Sequence, residues 1–260
     1  MKQNRLFNLF ARNAKKGSFR AQDNTIFIYD VIVSSDAEAE YFGGVSPEAF
    51  SRALAGINGD VHLRINSPGG DVFAARAMAA AMREHNGQII AHVDGYAASA
   101  ASLIAVSANR AIMAEGSFLM IHKAWTLGYG NANDLIATAA LLDKIDGSLA
   151  ETYARKSGGD VAEFTRMMAE ETWFSAQEAV EARLADEMQS EAPTEDGAAK
   201  NAWDLSVYSR APAPADGGGV QAAEQTRAQA KALAALPDLS NKESDLRVRK
   251  HAARMVIRTA

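Results

Sequence analysis

Between residues 25 and 121, short runs rich in β-branched and aromatic residues alternate with helical stretches, and that alternation restricts the fold more than any other feature. Residues 25–33, Thr-Ile-Phe-Ile-Tyr-Asp-Val-Ile-Val, predict a strand. Ser46-Pro47-Glu48 then starts a helix: a capping serine, a proline suited to the first turn, and an acid at the positive end of the dipole. Phe50, Leu54 and Ile57 follow at helical spacing. Further strands are predicted at 61–65, 88–93, 110–113 and 118–121, with helices over 71–85 and from about Ala98. Asp94-Gly95 breaks the strand that precedes Ala98. A long helix is predicted over 132–156 and a shorter one over 160–169. A capping box, Ser175-Ala176-Gln177-Glu178, opens a helix over 176–184. This order predicts an α/β fold with mostly parallel strands and right-handed crossovers.

Three regions follow from composition. Residues 1–24 are a basic N-terminal arm, with Lys2, Arg5, Arg12, Lys15, Lys16 and Arg20 and no acid before Asp23. A short amphipathic helix or a disordered arm would both suit them. Residues 25–190 are the folded domain. Residues 191–260 read as a flexible linker and a basic, partly helical tail, with four of the six prolines, the run Gly217-Gly218-Gly219 and a cluster of Lys and Arg beyond 242. The net charge of −5 argues against a nucleic-acid binder. With no cysteine, disulfides, thiolate metal sites and a thiol nucleophile are excluded. No apolar run approaches the roughly 18 residues of a membrane span.

Two strand-to-helix junctions carry the chemistry. In Ile65-Asn66-Ser67-Pro68-Gly69-Gly70-Asp71 the double glycine permits close approach of a ligand to the backbone. The amides at the head of the next helix can hold an anion. In Asp94-Gly95-Tyr96-Ala97-Ala98-Ser99-Ala100-Ala101-Ser102, Ser99 heads a helix among alanines that leave room for a substrate. This has the logic of a nucleophile on a sharp turn, without the G-x-S-x-G pattern.

A serine hydroxyl needs a base near neutral pH. Of the five histidines, His62 and His92 lie within strands, His85 ends a helix and His251 lies in the tail. His122 directly follows the apolar run Phe118–Ile121, at a strand end, where catalytic residues of α/β folds collect. The base needs an orienting acid. Asp134, Asp143, Asp146, Asp160, Glu170 and Glu171 are the candidates, and spacing alone does not choose among them.

Asn66–Gly70, Gly95–Ser99, Met120-Ile121-His122 and Phe174–Ala179, in that order, resemble the Clp protease proteolytic subunit family over roughly residues 25–190. The resemblance implies a ClpP/crotonase-like α/β fold with repeated β-β-α units and a protruding helical handle. It implies a serine endopeptidase with Ser99 as nucleophile, His122 as base, and backbone N–H groups of Gly70 and Ala100 as the oxyanion hole. The acid falls on Glu171, four residues before Ser175, where the family usually has Asp; Glu170 is its weaker neighbour. No metal or cofactor is implied. The Asp71-Val72-Phe73-Ala74 continuation looks more like the phage branch, whose members are head maturation proteases cutting scaffold and capsid proteins. Expected partners are polypeptide substrates, homo-oligomeric rings and, in a housekeeping reading, a separate ATPase, since no Walker A motif occurs here. The expected location is the bacterial cytoplasm or a phage prohead. A crotonase-like acyl-CoA enzyme and an inactive assembly component are the competing readings.

Overall fold

The computed structural model describes residues 5–189 and 203–212. The chain divides into two compact units. Among the described residues the first holds 5–125, 142–189 and 203–210, and the second holds 126–141 and 211–212.

The first unit is built on one sheet in the order β1-β2-β3-β4-β5-β8. Its strands are β1 (Ser18–Gln22), β2 (Thr25–Tyr29), β3 (Val61–Ser67), β4 (Ile89–Ala98), β5 (Arg110–Ala114), β6 (Phe118–Ile121), β7 (Thr172–Ser175) and β8 (Glu187–Gln189). β2, β3, β4, β5 and β8 pair in parallel, as the alternation of strands and helices requires. β1–β2 and β6–β7 are antiparallel. The helices of this unit include α1 (Arg5–Asn13), α2 (Asp36–Phe42), α3 (Pro47–Ala55), α4 (Val72–Glu84) and α5 (Ala100–Ser107). α6 (Ala132–Ser157) begins in the second unit and ends in the first, and α7 (Val161–Ala169) and α8 (Ala176–Glu181) follow it.

Alternate residues of the central strands form the core: Leu63 and Ile65 of β3, Ala91 and Val93 of β4, Met113 of β5, all fully buried. α4 contributes Ala75 and Met78, and α5 contributes Ile104 and Ala105. Each large side chain taken out of water here contributes roughly 1.5–3 kcal/mol. The sequence-derived helix starts at Ser46 and Ser175 are both capped as expected, the second by a complete capping box. Among the described residues no helix is long and apolar enough to cross a membrane.

Three expectations need correction. The basic arm is not separate from the sheet, because Ser18–Gln22 pairs with β2 and Leu9 and Phe10 of α1 are buried. Asp94-Gly95 does not end β4, which continues to Ala98. The flexible-tail reading fails at Trp203, Leu205, Val207 and Tyr208, which are buried in the first unit. Residues 191–202 and 213–260 of the proposed tail lie outside the described residues.

In the second unit, the Asn131 side chain accepts hydrogen bonds from the Asn133 and Asp134 N–H groups at 2.8 and 3.2 Å, opening α6. Tyr129 and Ile136 are exposed there.

Candidate active site

β4 changes partner along its length, and this builds the site. Its first half, Ile90–Val93, pairs with β5; its second half, Tyr96–Ala98, pairs with β6. Ala98 lies opposite Met120, so the residues just past both strand ends, Ser99 and His122, emerge side by side. The Ser99 N–H donates to the Met120 carbonyl at 2.9 Å and locks the register. His122 Nε2 lies 2.7 Å from Ser99 Oγ.

Ser99 has φ 54° and ψ −121°, a backbone conformation that costs any residue with a Cβ. Hydrogen bonds hold it there. Its carbonyl accepts from the Ser102 N–H at 2.9 Å and from Ser102 Oγ at 2.6 Å. Ser102 Oγ in turn lies 2.8 Å from the hydroxyl of Tyr153 on α6. Burial pushes the Tyr153 phenol up to about 12, so it remains a neutral hydroxyl. Ser102 and Tyr153 escaped the sequence reading, because nothing local to either marks a contact 51 residues away.

The double glycine fits beneath this elbow. Gly69 has φ 92°, and a Cβ there would lie 2.5 Å from the Ala98 carbonyl oxygen and 2.8 Å from Ser99 Cβ. Ile32 donates to the Gly69 carbonyl and accepts from the Asp71 N–H, both at 2.9 Å. In such a parallel bridge the N–H of the intervening Gly70 points away from Ile32. Ala100 is the first residue of α5, so its N–H needs no intrahelical partner.

His122 is buried against the rings of Trp125 and Tyr208, with centroids 4.3 and 5.5 Å away. Burial, reinforced by the positive charge of Arg5, pulls its imidazole down to about 3. The Lys123 backbone acts in the opposite direction. Among the described residues Nδ1 has no hydrogen-bond partner, and no carboxylate reaches it.

The six candidate acids separate clearly. Asp160 caps α7, and Asp134 bonds to the Asn131 N–H. Asp143 is exposed, and Glu170 pairs with Arg166 on the surface. Asp146 accepts from the Ala124 N–H at 2.7 Å and so supports the chain just after His122. Glu171 is buried at a left-handed position, φ 53°, at the head of β7. Its carboxylate accepts from the backbone N–H groups of Ser209 and Arg210 at 2.8 and 2.5 Å, with the Trp173 indole at 3.4 Å. The structure therefore brings Ser99 and His122 together but leaves Glu171 bonded elsewhere, on tail residues that composition alone assigned to a linker.

A family model for Clp protease matches residues 53–192. The ATP-dependent Clp protease proteolytic subunit 1 of Bifidobacterium longum (strain NCC 2705) is 31% identical over 134 residues, covering 50% of this chain and 58% of the relative. The protein of the same description from Protochlamydia amoebophila (strain UWE25) is 32% identical, covering 48% of this chain and 62% of the relative. The ATP-dependent Clp protease proteolytic subunit of Bacteroides fragilis (strain YCH46) is 30% identical over 50% of this chain and 60% of the relative. The chain thus matches less than two thirds of each of these relatives' own length. Because the family model takes in more than half of the sequence, including both strand-to-helix junctions and His122, the chain belongs to the Clp protease family.

Proposed function

We propose that this protein is a serine endopeptidase in which Ser99 is the nucleophile, His122 the general base and Glu171 the orienting acid. The observation that carries the reading is the 2.7 Å contact between His122 Nε2 and Ser99 Oγ at the strained head of α5. Burial keeps the imidazole neutral at physiological pH, the form able to accept a proton. Ser99 Oγ attacks the substrate carbonyl carbon while its proton passes to Nε2. The N–H groups of Gly70 and Ala100 hold the resulting oxyanion; one such donor is typically worth about 2.7–4 kcal/mol in catalysis. His122 then protonates the leaving amine, and water hydrolyses the acyl-enzyme with His122 again as base. Glu171 serves by accepting a hydrogen bond from the Nδ1–H group and stabilising the imidazolium.

The finer reading is a phage head maturation protease acting on scaffold and capsid polypeptides within a homo-oligomeric assembly. It is supported by the Asp71–Ala74 continuation and the basic composition of the last residues. Relatives described as subunits of an ATP-dependent protease make a separate ATPase partner the alternative. A crotonase-like acyl-CoA reading is disfavoured by the serine–histidine contact, which that chemistry does not use.

The test is hydrolysis of casein and of short fluorogenic peptides by the full chain and by its Tyr208→Ala variant, since Tyr208 lies against His122. Cleavage abolished by Ser99→Ala supports the reading. Equal cleavage with and without Ser99, or none by either protein, overturns it. Co-expression with a capsid protein separates the finer reading: Ser99-dependent processed fragments support it, and an intact capsid protein beside cleaved casein refutes it.

A further inference from the structure

Residues 203–210 are remote from the nucleophile in sequence and close to it in space. The segment is anchored at both ends. Asn13 donates to the Asp204 carbonyl at 3.1 Å and accepts from the Asp204 N–H at 2.8 Å, a reciprocal amide pair on the buried end of α1. The Trp203 indole donates at 3.2 Å to Asn66 Oδ1, in the first junction motif. At the other end, Ser209 and Arg210 give their N–H groups to Glu171. Between the anchors Trp203, Leu205, Val207 and Tyr208 are buried.

Tyr208 is the central contact. Its ring packs on His122, on Trp125 at 5.2 Å and on Trp173 at 5.9 Å. Its hydroxyl donates to the Pro68 carbonyl at 2.5 Å, immediately before the double glycine. Burial raises the titration of that phenol, and the Ser99 side chain opposes the shift. The chain turns here, with the Tyr208 N–H donating to the Leu205 carbonyl at 2.9 Å. Peptide ligands that add to a sheet do so as extended chains. This segment instead turns, and sets a phenol beside the serine.

We propose that Trp203–Arg210 is an internal inhibitor of the active site, covering His122 with Tyr208 while drawing the Glu171 carboxylate away from the base. The proposal rests on the peptidase reading above. Two consequences belong together. The imidazole is covered while Ser99 stays half-buried, and the imidazole lacks the acceptor that would fix its proton on Nδ1 and leave Nε2 free to receive one. Lifting the segment restores both at once: it removes the Tyr208 ring and releases the Glu171 carboxylate. Activation is then a displacement of residues 203–210 rather than a rearrangement of the Ser99–His122 pair.

The test is the rate at which a fluorophosphonate labels Ser99, followed by the mass of the Ser99 peptide. It is measured on the full chain, on Tyr208→Ala, and on Ser209→Pro, which deletes one of the N–H groups held by Glu171. At least a tenfold faster labelling of both variants is expected. A synthetic peptide of residues 203–212, added to Tyr208→Ala, should slow it again. Thermal melts check that each variant is folded, and Trp203→Ala replaces either one that is not. Wild-type labelling as fast as that of the folded variants overturns the inhibitor and leaves the peptidase reading standing. Labelling of Ser99 in none of the proteins overturns the peptidase reading, and the inhibitor with it.

Discussion

The nucleophile side and the acid side of the site are built by opposite means. Ser99 and His122 extend from paired strands whose register places them together, and the elbow is held by the Ser99 N–H donating to the Met120 carbonyl and by Ser102 donating to the Ser99 carbonyl. Glu171 stands just before the short strand β7, and its carboxylate accepts from backbone N–H groups remote in sequence. At present those are two amides from a segment 38 and 39 residues further along. In the proposed mechanism the pair that must meet for bond formation sits just past two paired strand ends, while the proposed acid bonds to a segment remote in sequence. Control over such a site is most readily exerted at the acid.

That contrast can be broken from either side. The largest effect is expected for Ser99→Ala in the Tyr208→Ala background, where peptide hydrolysis should fall by about 10⁶-fold with little change in melting temperature. Glu171→Gln in the same background should cost about 10⁴-fold in kcat, because an amide cannot enforce the imidazole tautomer. A loss as small as twofold would show that Glu171 never returns to His122. Gly69→Ala places a Cβ 2.5 Å from the Ala98 carbonyl at φ 92°, so the elbow must shift. Activity should fall at least about 100-fold and stability by about 2 kcal/mol in denaturant melts.

Smaller effects sharpen the picture. Ser102→Ala leaves the buried Tyr153 hydroxyl without its partner and should cost about 1–3 kcal/mol of stability. Tyr153→Phe removes the donor as well and should cost about 1 kcal/mol, with less than a tenfold loss of activity. The weakest signal is electrostatic. The His122 imidazole titrates near 3 in the folded chain against an ordinary value of 6.5. Between those values the unfolded chain binds the proton and the native one does not, so stability is lost as pH falls. At pH 5.5, about one unit below the ordinary value, the handicap is about 1.4 kcal/mol. His122→Gln should therefore lose less stability than the wild type between pH 7 and 5.5, as read from urea midpoints.

The legible parts of the molecule are those with local causes. The stretches 61–65 and 89–93 carry their own apolar alternation, whereas the continuation of β4 through Asp94-Gly95 to Ala98 does not; Ser46 and Ser175 carry their own capping partners. The Gly69-Gly70 turn and the alanines around Ser99 mark a close backbone approach by residue type alone, because side chains of one carbon or none leave the space open. β8 holds only Glu187–Gln189, and β1 is a largely polar edge strand, so neither has an apolar pattern to read. Trp203 and Tyr208 were concealed for another reason. They sit amid alanine, proline and glycine, and their partners Asn66 and Pro68 lie 137 and 140 residues away. Composition averages over such residues, whereas a single buried ring decides whether the segment docks.

The most direct measurement is peptide mapping of Tyr208→Ala after exposure to a fluorophosphonate, beside the same protein carrying His122→Ala. A single adduct on Ser99, lost when the imidazole is removed, is the expected result. An adduct that forms equally fast without His122, or that maps to another residue, would contradict the account.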